Sequence, residues 1–161
     1  RKMNIPTNKA KYILSDSARE GRRYGNEMKI IHSPIGNPAR KSYSLFPAID
    51  KAGKGFEYIE ALLKASFQDG INIGDDNFLE NLVTNLELDW ELIKKDLNSK
   101  HWQKILKDNV EDMYSGNCWG VPSFKITDED GSNPFFTWGQ DRIWLLKEEI
   151  YQRLEKSHEK L

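Results

Sequence analysis

Apolar residues follow a helical spacing over most of the chain and switch to alternation in one short stretch. Tyr12, Ile13, Leu14 and Ala18 give one side of a helix predicted over Lys9–Tyr24, with Gly25 placed as its stop. Arg1 to Asn8, with Pro6, reads as a connection. Met28–Ile31 is extended at most, and His32–Pro38 is a loop because two prolines and a glycine in seven residues defeat both helix and sheet.

From Ala39 the helical spacing runs on to Gly116. The first segment is Ala39–Lys51, with Pro47 expected to bend or break it. Gly53 and Gly55 interrupt, and Phe56, Ile59, Leu62, Leu63 and Phe67 then form a helical face that ends at Gly70. Asp75 or Asp76 can cap a helix carrying Phe78, Leu79, Leu82 and Val83. Asp89 begins another with Trp90, Leu92, Ile93 and Leu97. Asn98 or Ser99 can cap the next, where Trp102, Ile105, Leu106, Val110 and Met113 recur.

The period then changes. Gly120-Val121-Pro122 precedes the alternating Val121, Phe124 and Ile126, so the chain bends and then extends, with proline at a strand head where a missing ladder donor is tolerated. The Val121–Pro122 bond is of the one type for which the cis form is cheap. Asp128–Asn133 is a turn cluster, Phe135–Trp138 a return strand, and Ile143, Leu146, Ile150 and Leu154 mark a last helix opening on Gln140. Such a hairpin is not stable alone in water, and no other stretch offers good strands to pair with it. The expected division is therefore a helical segment, residues 1–115, and a hairpin-helix segment, residues 116–161, with further strands lying outside this sequence.

Totals change the picture little. Lys and Arg number 24 against 25 Asp and Glu, a formal net charge of -1. Neither nucleic acid nor an anionic membrane is therefore favoured as a partner. No apolar run reaches the roughly 18 residues of a membrane span. Arg1 as first residue is compatible with a removed leader. The single cysteine, Cys118, excludes an internal disulfide and a Cys-x-x-Cys pair, and it suits a reducing, cytoplasmic setting. Cys118 reads as a small buried hydrophobe rather than a reactive thiol. His32, His101 and His158 lack ligand spacing, so no metal site is expected. There is no glycine-rich phosphate loop. Ser123 has no neighbouring base, so no catalytic residue is assigned. Trp90, Trp102 and Trp144 read as core, while Trp138 suits either packing or a pocket wall.

Gly120-Val121-Pro122-Ser123-Phe124, a hairpin, then Trp138-Gly139-Gln140-Asp141-Arg142 heading the last helix resembles the end of the DsbA-like branch of the thioredoxin superfamily. That branch holds 2-hydroxychromene-2-carboxylate isomerases and kappa-class glutathione transferases. Ala65–Asp75 is similar to that family's helical insertion, and Lys9–Tyr12 with Arg19 and Tyr24-Gly25 supplies a third patch in the same order. The resemblance implies an α/β thioredoxin-like fold with a large all-helical insertion, whose strand-helix-strand unit would precede Arg1 and carry the thiol-facing Ser or Cys. It implies glutathione as cofactor, with a small-molecule electrophile of aromatic or polyketide-like type and a possible homodimer. Val121 beside Pro122 would pair with the cysteinyl part of glutathione by strand addition. Gln140 and Asp141 would hold its γ-glutamyl end, and Lys9 a carboxylate. Two alternatives stay open: a DsbA-type thiol-disulfide oxidoreductase, and a non-enzymatic relative acting as an interaction module.

Overall fold

The computed structural model describes residues 6–158. The element order is α1 (Thr7–Arg23), α2 (Asn37–Lys51), α3 (Gly55–Lys64), α4 (Asp76–Asn85), α5 (Trp90–Ile93), α6 (His101–Ser115), β1 (Ser123–Ile126), β2 (Phe135–Trp138) and α7 (Ile143–His158). A π-helical turn, Ala65–Asp69, extends α3; 3-10 turns at Lys94–Asp96 and Gln140–Arg142 follow α5 and precede α7. The chain divides into two compact units, 1–102 and 103–161, so the break falls inside the run of helical spacing. Of the connection expected for Arg1–Asn8, the part up to Ile5 lies outside the described residues, and α1 already begins at Thr7.

In the first unit the core is built by α2 through α5. Leu45, Ile49, Tyr58, Leu79 and Val83 are fully buried, and Leu62, Ala65, Ile73, Leu82 and Ile93 complete the cluster. Helix α2 continues through Pro47 without the break that was one of the two expectations there. An interior proline costs about 3 kcal/mol. Leu45 and Ile49 flank it, each fully buried, and burial of such side chains contributes about 1.5–3 kcal/mol apiece. The Tyr58 hydroxyl donates to the carbonyl of Ser42 at 2.8 Å, next to the Tyr43 carbonyl that Pro47 leaves without its helical donor. Burial, with the nearby Tyr43 phenol second, pushes the Tyr58 phenol well above its ordinary range, so it stays a donor.

Capping follows the acidic residues. Asp75 accepts from the Phe78 amide at 2.9 Å and Asp89 from the Glu91 amide at 2.8 Å. Neither Asn98 nor Ser99 acts in that way. Asn98 has φ 62 and gives its amide to the buried Ser44 hydroxyl at 2.9 Å, while the Ser99 hydroxyl is buried without a partner among the described residues. Helix α1 forms over the expected stretch but buries no residue; Tyr12 and Leu14 are more than half exposed.

In the second unit β1 and β2 pair antiparallel, Ser123 opposite Trp138 and Ile126 opposite Phe135. The strand starts at Ser123, two residues after the expected bend. Helix α6 ends as the Cys118 amide donates to the Met113 carbonyl at 3.0 Å, with Asn117 at φ 57 in the left-handed position. The Phe136 ring lies against the Gly116 backbone, where an added Cβ would come within 2.1 Å of it. Lys125 binds both carboxylate oxygens of Asp112, tying β1 to α6. Arg153 on α7 holds the hairpin loop through Asp128 and the Asn133 carbonyl, each at 2.7 Å, and takes Glu149 as its helical neighbour.

Removing the Tyr58 hydroxyl (Tyr58→Phe) is expected to cost about 1 kcal/mol, read from urea unfolding of the two proteins; equal midpoints would refute its role beside Pro47. The hydrogen bond from Asn133, aided by the Arg153 charge, holds the Asp128 carboxyl below the usual carboxylate range. A depressed folded value means the contribution is whole above the ordinary value of about 3.9 and is lost as pH falls through it toward the folded value. Asp128→Ala should therefore melt at a lower temperature than the parent near neutral pH, and the gap should close in acid. A gap that persists unchanged at about pH 2 contradicts this.

Candidate functional site

Five residues were singled out by the sequence, and the hairpin brings four of them onto one short stretch of backbone. Pro122 immediately precedes β1, and Gly139 immediately follows β2. The Gly139 amide donates to the Pro122 carbonyl at 3.0 Å, which continues the ladder one pair beyond Ser123 and Trp138. Val121 and Gln140 are therefore each the next residue out from a bonded pair. The Val121–Pro122 peptide is cis. Val121 is 88 % exposed, and neither its amide nor its carbonyl has a hydrogen bond among the described residues.

At the other side of that bond the chain passes through Gly139 into a 3-10 turn and then α7. The last helix thus opens on Gln140 as a tighter turn rather than as α-helix. Gly139 has φ 106 and ψ 137, a region essentially restricted to glycine. An added Cβ would also stand 2.4 Å from a carboxylate oxygen of Asp141, which folds back over the glycine. Asp141 forms an ion pair with Arg142, and both side chains stay substantially in solvent. The side-chain amide of Gln140 has no partner among the described residues. Lys9 lies on α1 in the first unit and is exposed.

Neighbouring groups bear on the chemistry. The Ser123 hydroxyl donates to the Gly120 carbonyl, so its proton is already engaged by backbone. Cys118 is buried, with only a long contact from its sulfur to the Gly116 carbonyl. Trp138 is partly exposed and its ring lies 4.8 Å from that of Trp119, itself 67 % exposed. Packing and openness to solvent coexist there. Among the described residues no cluster of three or more His, Cys, Asp or Glu could hold a metal ion, and no helix is long and apolar enough to cross a membrane.

What the sequence did not single out is a groove beside this stretch. It lies between α6 and β1, encloses about 440 Å³ and includes Val121 and Pro122 in its wall. Leu106, Val110 and Met113 read as a core stripe by their spacing; on the structure α6 buries none of its residues and this stripe lines the groove. The available signal was their position just upstream of Pro122.

The description of the DSBA-like thioredoxin domain fits residues 1–151 of the chain. A solved 2-hydroxychromene-2-carboxylate isomerase superposes with a TM-score of 0.73 at 17% identity, covering 98% of this chain and 76% of that one. A candidate protein disulfide isomerase from Nitrosomonas europaea superposes with a TM-score of 0.70 at 14% identity, covering 94% and 76%. No curated protein matches the sequence. At these identities the two structures share the fold, thioredoxin-like with a large helical part.

Gly139→Ala combines a forbidden φ with a collision against Asp141. It should lower the melting temperature by several degrees, and adding Asp141→Ala should recover only the part due to the collision. Full recovery would mean that the backbone conformation carries no constraint.

Proposed function

Within the DSBA-like thioredoxin domain family, to which the chain belongs, we propose a glutathione-dependent isomerase or transferase of the 2-hydroxychromene-2-carboxylate isomerase type, acting on an aromatic or polyketide-like electrophile. The observation that carries this reading is the unpaired backbone of Val121 next to a glycine-led helix start. An exposed residue with free amide and carbonyl at a strand head is a template for a peptide strand. In the turn at Gln140–Arg142 the Arg142 amide is given to the Gly139 carbonyl, while those of Gln140 and Asp141 lack acceptors among the described residues and favour a carboxylate. Asp141 beside them offers a counter-charge to an ammonium. A carboxylate and an ammonium on one carbon, followed by a peptide, describe the γ-glutamyl end of glutathione.

The residues present fit that ligand in kind. Val121 would pair with the cysteinyl portion. Gln140 and the turn amides would take the α-carboxylate, and Asp141 the ammonium, exchanging its present partner Arg142. Pro122 and Gly139 hold these two halves at fixed spacing through their mutual hydrogen bond. Lys9 is proposed on resemblance as a partner for a further carboxylate. Glutathione, when bound, supplies the thiol nucleophile; its release after rearrangement of the substrate gives isomerisation and its retention gives transfer. The contribution of this chain is orientation, which converts an encounter into an effectively unimolecular step. No residue of the chain is assigned as nucleophile.

A thiol-disulfide oxidoreductase has support in the likeness to the Nitrosomonas europaea protein. Dithiol chemistry needs two thiols; this sequence supplies one, buried, so the reactive pair would come from the unit expected upstream of Arg1. The same single thiol favours a cytoplasmic setting.

Titration calorimetry with glutathione tests the leading reading. Binding is expected in the parent, and Asp141→Ala should weaken it about tenfold or more, the cost of losing a charge-assisted contact of about 1.5–3 kcal/mol. Absence of binding, or affinity indifferent to Asp141→Ala, rejects the assignment.

A further inference from the structure

A second groove lies in the first unit, along α3 and the π-helical turn that extends it, and encloses about 820 Å³. Phe56, Ile59, Leu63 and Phe67 line it, and their helical spacing puts them on one face. Phe56 is 78 % exposed and Leu63 49 %, so that face is open to a ligand. Asn26, in the connection after α1, also lines the groove. That connection is fixed to the π turn by the Lys29 amide, which donates to the Phe67 carbonyl at 2.7 Å. The volume falls within the range of small-molecule sites, about 300–1,000 Å³.

Glu60 stands within this apolar face, one turn after Phe56 and one turn before Leu63. The usual helical partner of a glutamate is a lysine four residues on, and Lys64 occupies that place. The π turn diverts it. Lys64 instead reaches five residues forward to both carboxylate oxygens of Asp69, at 2.9 and 2.7 Å. Glu57, the other acid in the wall, has Lys54 at 4.0 Å. Glu60 is left without an ion-pair partner among the described residues. The groove thus carries one unmatched negative charge among aromatic and branched apolar side chains, beside the kind of helical irregularity that is frequent at functional sites. A carboxylate ligand would be repelled there. A neutral apolar ligand would strip water from Glu60 and return nothing for it.

We propose that this groove binds a small amphiphilic monocation, an alkyl or arylalkyl ammonium, with its head on Glu60 and its apolar body along Phe56, Ile59, Leu63 and Phe67. One unmatched charge suits one ammonium better than the several basic side chains of a cationic helix. The site lies in the first unit and is independent of the glutathione reading.

The test is methyl NMR of this chain titrated near neutral pH with octylammonium, octanoate and octanamide. Octylammonium should shift the methyl signals of Ile59 and Leu63 and bind roughly fivefold or more tighter than octanoate, the scale of an exposed charge pair. The preference should shrink in about 1 M salt, where screening acts over about 3 Å. Glu60→Gln should remove it with the melting temperature unchanged, and Leu63→Ser should weaken all three ligands. Asp69→Asn changes no residue of the wall but frees Lys64 for Glu60, so it should weaken octylammonium alone. These positions are exposed, so each variant reports on binding rather than folding. Octanoate or octanamide binding as tightly as octylammonium overturns the charge selectivity. Octylammonium affinity indifferent to Asp69→Asn overturns the part given to the π turn. Methyl shifts with a basic amphipathic peptide and none with the three ligands assign the groove to a helix and reject the small cation; no shifts with any of them reject the site.

Discussion

Everything proposed for the second unit depends on the antiparallel pairing of two four-residue strands. Ser123 faces Trp138, and one step further out the Gly139 amide reaches the Pro122 carbonyl. That last bond converts two segments that are 17 residues apart by number into neighbours, because it fixes Pro122 and Gly139 as partners. A slip of one residue would put every hairpin side chain on the opposite face. It would also separate Val121 from the helix start. The register is held from three sides: Lys125 by Asp112, Phe136 by the bare backbone of Gly116, and the loop by Arg153.

The two units reach order by different means. The first is conventional, with α2 to α5 enclosing a dry cluster around Leu45, Ile49, Leu79 and Val83. In the second, the buried residues among those described are Cys118 and Thr137, and the fixed geometry comes from hydrogen bonds and ion pairs. A hairpin of this size is marginal without a packed face. Polar ties such as Arg153 with Asp128 therefore matter more there than their exposed setting would suggest. The same sparse burial leaves Trp119, Val121 and the α6 stripe facing solvent.

Much of this was legible in the residues. Asp75 and Asp89 announced helix starts because a short carboxylate before an apolar periodic run has little else to do. Gly-Val-Pro and the turn cluster at Asp128–Asn133 marked the hairpin, since glycine and proline punctuate whatever the tertiary structure becomes. Pro47 does not end its helix because two fully buried neighbours outweigh one missing donor. Asn98 misled because it sits at φ 62, outside the extended backbone a cap adopts, with its amide held by the distant Ser44, and no local pattern records that. The α6 stripe has the spacing of a core face, and periodicity alone cannot say whether a face is covered. For Lys9 the case comes from family likeness alone, and no contact within its own unit bears on it.

The central claim is that one hydrogen-bonded pair, Pro122 and Gly139, presents two binding edges as a single site. Amide NMR of the chain titrated with glutathione tests this most directly. The account predicts that Val121 and Gln140 shift together along one saturation curve, while the Gly139 amide, already bonded, stays protected from exchange throughout. Separate curves for Val121 and Gln140, or shifts at only one of them, would contradict it.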